Sequence, residues 1–416
     1  MFSKTKSWIT YCLYDWANSP FATVIITFIF AVYFQKAIVG DPEKASILWG
    51  WAIAISSFLI AIIGPILGKF ADDNYSHRYW LRLFTVLSSI GAALFWFAYP
   101  SEDLILYVLV LVVLSNTFFE LAGVFYNSML ISFSSKNKIG RLSGQSWAAG
   151  YMGGIVCLLI ILFGFVQTDN PLLGLEKHNA ANIRIAGPIV ALWFILFSLP
   201  FILSFSKKIE KSNIKLKDSI MSFLLDLKNI FKGNNKGKFL LARMIYTDGL
   251  NTLFAFGGLY AAGTFDMNFS EIIIFGIAIN VTAGIGALVF SYMDDLIGPK
   301  RVIIISLLSI IVIGFFTLII EDKSYFLILG SSLGFFIGPV QASSRSFMAR
   351  YVDSENKGEI FGLFALSGKV TAFLGPLLLS ITVYVFDSQR VGMGSIIIFL
   401  ILGLLFLLRV KEPRTL

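Results

Sequence analysis

Long apolar runs organise this chain, and short polar stretches part them. A helix needs about 20 mostly apolar residues to cross the hydrocarbon of a bilayer. Twelve stretches reach or approach that length: 9–36, 46–69, 81–99, 103–133, 144–167, 184–206, 239–264, 271–293, 302–320, 325–349, 359–386 and 391–409. Apolar residues continue along each run instead of alternating, which predicts helices and argues against a β-barrel. The pattern therefore predicts an all-α membrane protein of twelve transmembrane helices.

Composition agrees. Of 416 residues, 57% are hydrophobic and 14% charged, against about 25% charged in a soluble domain. That deficit excludes a soluble enzyme, a disordered chain and a nucleic-acid-binding domain, despite a net charge of +8. The bases lie mainly in loops. The N-terminus, the loops after even-numbered stretches and the C-terminus hold 25 of the 33 Lys and Arg, and the opposite loops hold six. This asymmetry predicts that both termini are cytoplasmic. Lys4 and Lys6 precede an apolar run that contains Asp15 and Asn18 and has no clear cleavage site before Tyr33, so a retained helix is expected instead of a signal peptide. Cys12 and Cys157 both fall in apolar stretches, which makes a disulfide a poor reading. No Gly-x4-Gly-Lys-(Ser/Thr) loop occurs, so direct drive by ATP is not expected. Neither an enzyme activity nor a cofactor or metal is expected.

The longest polar stretch, 207–238, follows six apolar runs and precedes six more. It divides the chain into halves at 1–206 and 239–416. Within it, Ile220–Phe231 has apolar residues at helical spacing, as in a short amphipathic helix lying on an anionic leaflet. Three matches relate the halves. Asp15-Trp-Ala-Asn18 reappears as Asp248-Gly-Leu-Asn251, Gly68-Lys-Phe-Ala-Asp72 corresponds to Ser291-Tyr-Met-Asp-Asp295, and Gly140, Gly144 and Gly150 recur as Gly358, Gly362 and Gly368 at a constant offset of 218. Their shared order predicts duplicated six-helix halves. Gly330, Gly334 and Gly338, like Gly150 and Gly154, are spaced by four and predict close helix contacts, either static or sliding.

Five charges are read as lying deep inside apolar stretches: Asp15, Glu120, Asp248, Arg345 and Lys369. Each costs at least about 2.5 kcal/mol at a helix centre on insertion scales, so each needs a partner, a cavity or a function. Asp15 and Asn18 share a helix face, as do Asp248 and Asn251. Under a pseudo-two-fold, the two pairs are expected to face each other between the halves, with Lys369 at similar depth. Such a site suits a zwitterion or a proton, and a carboxylate freed from its base on protonation is a simple coupling device. His77 and His178 lie outside the apolar runs, so a proton relay is expected to use acids. Arg345 is about one turn from the inner end, near enough to snorkel. The plainer alternative is that these charges pair to pin helices together. Tyr14, Trp16, Phe125, Tyr126 and Asn127 flank them.

Asp295-Leu-Ile-Gly298-Pro-Lys300-Arg301 resembles the loop signature of the major facilitator superfamily, Gly-x3-Asp-x2-Gly-x-(Arg/Lys)-(Arg/Lys). The first copy keeps Gly68 and Asp72, but Tyr75 replaces the next glycine and the bases shift to Arg78 and Arg82. The resemblance implies a cytoplasmic gate built from Asp72, Arg78, Asp295, Lys300 and Arg301, in which the acid caps or pairs at a neighbouring helix end. Tyr14-Asp-Trp-Ala-Asn-Ser19, Val124-Phe-Tyr-Asn127, Arg141-Leu-Ser-Gly-Gln145, Gly150-Tyr-Met-Gly-Gly154, Arg243-Met-Ile-Tyr-Thr-Asp-Gly-Leu-Asn251 and Gln341-Ala-Ser-Ser-Arg-Ser346 resemble the autophagy-linked vacuole effluxer family and its bacterial relatives. That resemblance implies a permease, with eukaryotic members linked to amino-acid export from the vacuole. The compact length here is similar to a bacterial member, hence a plasma membrane.

The combined expectation is a monomeric secondary transporter in a lipid bilayer, with no nucleic-acid partner. It would move amino acids or similar small polar metabolites, with export as the expected direction, coupled to protons or sodium. Asp15, Asn18, Glu120, Asn127, Asp248, Asn251, Gln341, Arg345 and Lys369 form the expected substrate and proton site. The rivals are a proton-coupled exporter of lipophilic compounds and a non-transporting membrane sensor or assembly protein.

Overall fold

The computed structural model describes residues 4–74, 76–204, 215–222, 234–267, 269–352 and 355–412. Its principal helices are α1 (Lys4–Pro20), α2 (Pro42–Asp73), α3 (His77–Leu94), α4 (Ile105–Ser128), α5 (Ile139–Ile161), α6 (Ala186–Leu203), α7 (Asn235–Phe265), α8 (Phe269–Ile297), α9 (Pro299–Ile319), α10 (Lys323–Ala349), α11 (Lys357–Ser367), α12 (Leu374–Phe386) and α13 (Gln389–Leu408). No strand occurs among the described residues. Large apolar side chains stand exposed along these helices, among them Trp51, Phe58, Leu106, Leu192, Ile274 and Ile328. Apolar surface on this scale suits hydrocarbon as the surrounding solvent. In the stretch 207–238, residues 216–222 are helical, and the rest of the expected amphipathic helix lies outside the described residues.

Among the described residues, ten helical segments are long and apolar enough to cross a membrane. They cover ten of the twelve expected stretches, and the two exceptions are instructive. α7 has ample length at 31 residues, but its first half carries Lys236, Lys238, Arg243 and Asp248. The stretch 359–386 is not one helix: α11 stops at Ser367 and α12 starts at Leu374. Pro376 stands in the first turn of α12. It has no N–H to give the carbonyl four residues back, that of Ala372. Tighter turn bonds replace the helical ladder across 368–373, including Lys369 N–H to Leu366 O at 3.0 Å and Leu374 N–H to Thr371 O at 2.8 Å.

A second proline acts on the first stretch. After Pro20 the backbone widens into a π-helix over Phe21–Phe28. Proline leaves the carbonyl four residues earlier, that of Trp16, without its helical donor. The indole Nε1 of Trp193 supplies one at 3.2 Å, and the two indoles stack with centroids 5.7 Å apart. Trp193→Phe keeps a ring there but removes the donor. It is expected to cost about 1–2 kcal/mol, read as a lower thermal midpoint in detergent. An unchanged midpoint would show that the carbonyl has no need of Trp193.

The chain forms two compact units. One comprises Met1–Ile60, Ser76–Tyr126 and Ala149–Glu210, and the other Ala61–Tyr75, Asn127–Ala148 and Lys211–Leu416. In the first, α1 and α3 pack on α6, and α5 lies against α1 through Gly150, Gly153 and Gly154. In the second, α7 and α9 pack on α13, and α8 and α9 on α10. The glycine stripe of α10 sets the approach to α8: a Cβ at Gly334 would lie 2.2 Å from Ile279 O, and one at Gly338 2.1 Å from Ala283 O.

Candidate functional site

In the second unit two carboxylates each hold a helix N-terminus. Asp72, near the end of α2, accepts the N–H of Gly358 at 2.9 Å and that of Glu359 at 2.8 Å, in the first turn of α11. Asp295, near the end of α8, accepts the N–H of Gly140 at 2.9 Å and that of Arg141 at 3.1 Å, in the first turn of α5. The first N–H groups of a helix lack internal partners and carry the positive end of its dipole, so a carboxylate satisfies both needs. The two caps are related by the offset of 218 that links Gly140 to Gly358. Glycines make the approach possible. A Cβ at Gly68 would lie 2.1 Å from Gly358 O, and one at Gly144 would lie 2.5 Å from Ala287 O.

The bases around these caps differ from those that the loop signature suggests. Asp295 meets Arg141 Nε at 3.7 Å and Arg350 at 3.3 Å. Arg350 also binds the neighbouring Asp294 at 2.7 Å, which takes a hydrogen bond from Ser346 Oγ as well. On the Asp72 side, Lys69 pairs with Glu359 at 3.4 Å. Lys300 instead donates to Leu408 O at 3.0 Å and Val410 O at 2.6 Å, closing the end of α13, and Arg301 is exposed. Arg78 is half-buried in the first turn of α3, in the other unit. Tyr75 lies outside the described residues.

Arg345 of α10 is only 2% exposed and turned inward, where a snorkelling side chain would reach outward. Its guanidinium donates to Asn127 Oδ1 at 3.1 Å, Ser143 Oγ at 2.9 Å, Ser143 O at 2.7 Å and Ser146 Oγ at 2.5 Å. Ser143 Oγ in turn donates to Ala342 O at 2.7 Å, tying α5 to α10. Arg345 and Asn127 are thus brought together. Gln341, one turn earlier on α10, is half-buried.

The break between α11 and α12 gathers a third set, all from α7. Asp248 is 2% exposed. It accepts the N–H of Gly375, in the first turn of α12, at 3.2 Å. Asn251 Nδ2 donates to Gly368 O at 3.4 Å, just past the end of α11. Arg243 donates to Phe364 O at 2.6 Å and Ser367 Oγ at 2.7 Å, in the last turn of α11. A carboxylate therefore stands at the N-terminus of one half-helix, and a cation and an amide at the C-terminus of the other. Each matches the local end of the backbone dipole. Lys369, half-buried, lies within the break itself.

A family model described as "Vacuole effluxer Atg22 like" matches residues 43–416. The chain belongs to that family. It is 26% identical over 420 residues to the MFS-type transporter YxiO of Bacillus subtilis (strain 168), covering 99% of this chain and 96% of that one. Autophagy-related protein 22 of Yarrowia lipolytica is 22% identical over 316 residues, covering 67% of this chain and 52% of the fungal one. In fold the chain is similar to the major facilitator superfamily transporter FucP in its outward conformation, with a TM-score of 0.75 at 13% identity over 98% of this chain and 99% of the other. It is also similar to the proton:xylose symporter XylE, with a TM-score of 0.74 at 14% identity over 98% and 96%. The Atg22-like protein is accordingly a multi-pass integral membrane protein of the MFS transporter type.

The remaining expected residues of this Atg22-like protein lie in its first unit. Asp15, Asn18 and Glu120 are each half-buried. Ser19 Oγ donates to Asp15 O at 2.8 Å, and Thr252 Oγ1 donates to Asp248 O at the same distance. The motif in both copies is therefore Asp-x-x-Asn-(Ser/Thr), one position longer than the match read from sequence. Arg243, counted above among the loop bases, is 7% exposed and belongs with the buried charges. Gly375 was also missed, although the Gly375-Pro376 pair is a legible helix-breaking signal.

Proposed function

We propose that this Atg22-like protein is a secondary active transporter that works by alternating access. Its two six-helix repeats are joined by the basic segment 207–238, with both termini cytoplasmic in a bacterial plasma membrane. It moves amino acids or similarly small polar metabolites outward, coupled to protons. The observation that carries this reading is the broken eleventh stretch with Asp248 and Asn251 at its two ends. A discontinuous helix with a buried acid, deep in an apolar region, is costly unless a polar solute or ion uses it. In the same scheme Asp15, Asn18 and Glu120 serve the first unit, and Asn127, Gln341, Arg345 and Lys369 complete the polar lining. The Asp72 and Asp295 caps close the cytoplasmic end.

Reconstitution into liposomes with labelled amino acids and an imposed pH gradient tests the proposal. At least one amino acid is expected to show flux that follows the gradient and collapses with a protonophore. Absence of gradient-dependent flux for any small solute would remove the transporter reading. Flux confined to lipophilic dyes would replace the polar substrate with the exporter alternative.

A further inference from the structure

At the break at 368–373, one helix, α7, touches both half-helices. Three polar side chains on α7 span it: Arg243 and Asn251 hold the end of α11, and Asp248 holds the start of α12. Two of these ties do not depend on a titrating acid, since Arg243 stays cationic and Asn251 is neutral. The third does. Asp248 Oδ2 takes the Gly375 N–H, while its other oxygen, Oδ1, is buried and has no hydrogen-bond partner among the described residues. An ionised carboxylate carries about four acceptor sites, so one N–H leaves it under-satisfied in surroundings where water does not compensate.

We infer that Asp248 Oδ1 is a proton-binding site and that its occupancy operates the break as a joint. While Asp248 is ionised, its charge pins the first turn of α12 to α7. When Oδ1 takes a proton, the carboxyl becomes neutral, its pull on the Gly375 N–H weakens, and α12 is free to change its angle to α11. α11 itself stays fixed to α7 by Arg243 and Asn251. No covalent bond other than O–H forms, and the proton returns by the same oxygen. Gly375 brings the first turn of α12 close to α7. A Cβ there would lie 2.0 Å from Thr252 Oγ1 and 3.1 Å from Asp248 Oδ1, so α12 sits directly against the acid.

The other charged groups near α7 have their own contacts. Arg243 is committed to α11, and Lys369 is the one charged residue of the break. α10 contributes Ser344, bound to Tyr246 Oη, and Arg345, bound by Asn127, Ser143 and Ser146. α13 presents Ile396, Phe399 and Leu400 to Gly249, all apolar. On α8, Asp294 and Asp295 pair with Arg350 and Glu271 with Lys323. The inference gives the transporter reading its coupling step, but the joint is testable without any transport.

The test is a nitroxide spin label at Ala372→Cys, in a Cys12→Ala, Cys157→Ala background of the full-length protein. Its spectrum is read as pH falls, with no substrate present. The label is expected to pass from a restrained to a mobile line shape in wild type, and to be mobile at every pH in Asp248→Asn. Asp248→Glu, which keeps a titrating acid one methylene further out, is expected to move the midpoint. A pH-independent spectrum in wild type would overturn the joint. So would a transition that Asp248→Asn leaves intact. If Asp248→Asn is not recovered folded, an unmoved midpoint in Asp248→Glu overturns it instead. Liposome flux without a mobile transition would sink the joint and leave the transporter standing; the converse would do the opposite.

Discussion

Asp248→Asn and Asp15→Asn are each expected to reduce proton-driven accumulation of substrate to background, with folded protein recovered at normal yield. Asparagine keeps the size and one acceptor oxygen but takes no proton. At Asp248 it also turns a charge-assisted hydrogen bond to Gly375 into a neutral one. Charged hydrogen bonds are worth about 1.5–3 kcal/mol against about 1 for neutral ones. Together with the lost titration, the deficit is expected to reach roughly 100-fold in accumulative flux, since each 1.4 kcal/mol is tenfold. Exchange of labelled for unlabelled substrate, which needs no net proton movement, is expected to survive better than accumulation. Wild-type accumulation by both variants would remove the aspartates from the mechanism, and equal loss of exchange and accumulation would make them substrate ligands only.

If the Asp72 and Asp295 caps close the cytoplasmic end as proposed, Asp72→Ala and Asp295→Ala are expected to shift the molecule away from the capped arrangement. Each substitution strips two backbone N–H groups of their acceptor, at Gly358 and Glu359 or at Gly140 and Arg141. Losing a helix cap costs about 0.5–2 kcal/mol, and burial of the freed donors raises this to roughly 2–3 kcal/mol. That corresponds to about a 30- to 150-fold change in the closed-to-open ratio. Asp→Asn keeps one acceptor and is expected to show about half the effect in free energy. The two caps hold different helices, α11 and α5, so their effects should add. A cysteine at Ala287, fully buried beside Gly144, reports the opening through its labelling rate with a thiol reagent at fixed pH. Labelling unchanged in the double alanine variant would show that the caps only stabilise helix ends. Gly68→Val offers a steric comparison. Its Cβ would be driven into Gly358 O at 2.1 Å, so it should open the same end without touching a charge.

Much of this site is legible along the chain. Asp72 and Asp295 stand out through a spaced signature, and their partners Gly140 and Gly358 through a constant offset. Both signals survive because a helix N-terminus approached by another helix needs a glycine and an acid at fixed positions. The bases are another matter. Lys300 and Arg301 adjoin Asp295 in sequence, yet its ion pairs come from Arg141 and Arg350, on α5 and just beyond α10. Adjacency in a loop says little about which long side chain arrives from another helix. Arg243 looked like a loop base because it lies near the polar linker, and only packing against α11 shows it buried.

The sequence by itself determined the solvent of this protein and the type of element that meets it. Apolar runs of about 20 residues leave the backbone no partner in hydrocarbon except its own, so helices follow. It also determined which polar residues stand where they cost most, Asp15 and Asp248 among them. Only the tertiary structure decided what those residues hold. Periodicity carried 359–386 as one span. The fold parts it into α11 and α12, and Asp248, Asn251 and Arg243, more than a hundred residues earlier in the chain, satisfy the ends thus exposed. A broken helix is stable only where another element supplies those partners, and a one-dimensional pattern does not contain that element's position.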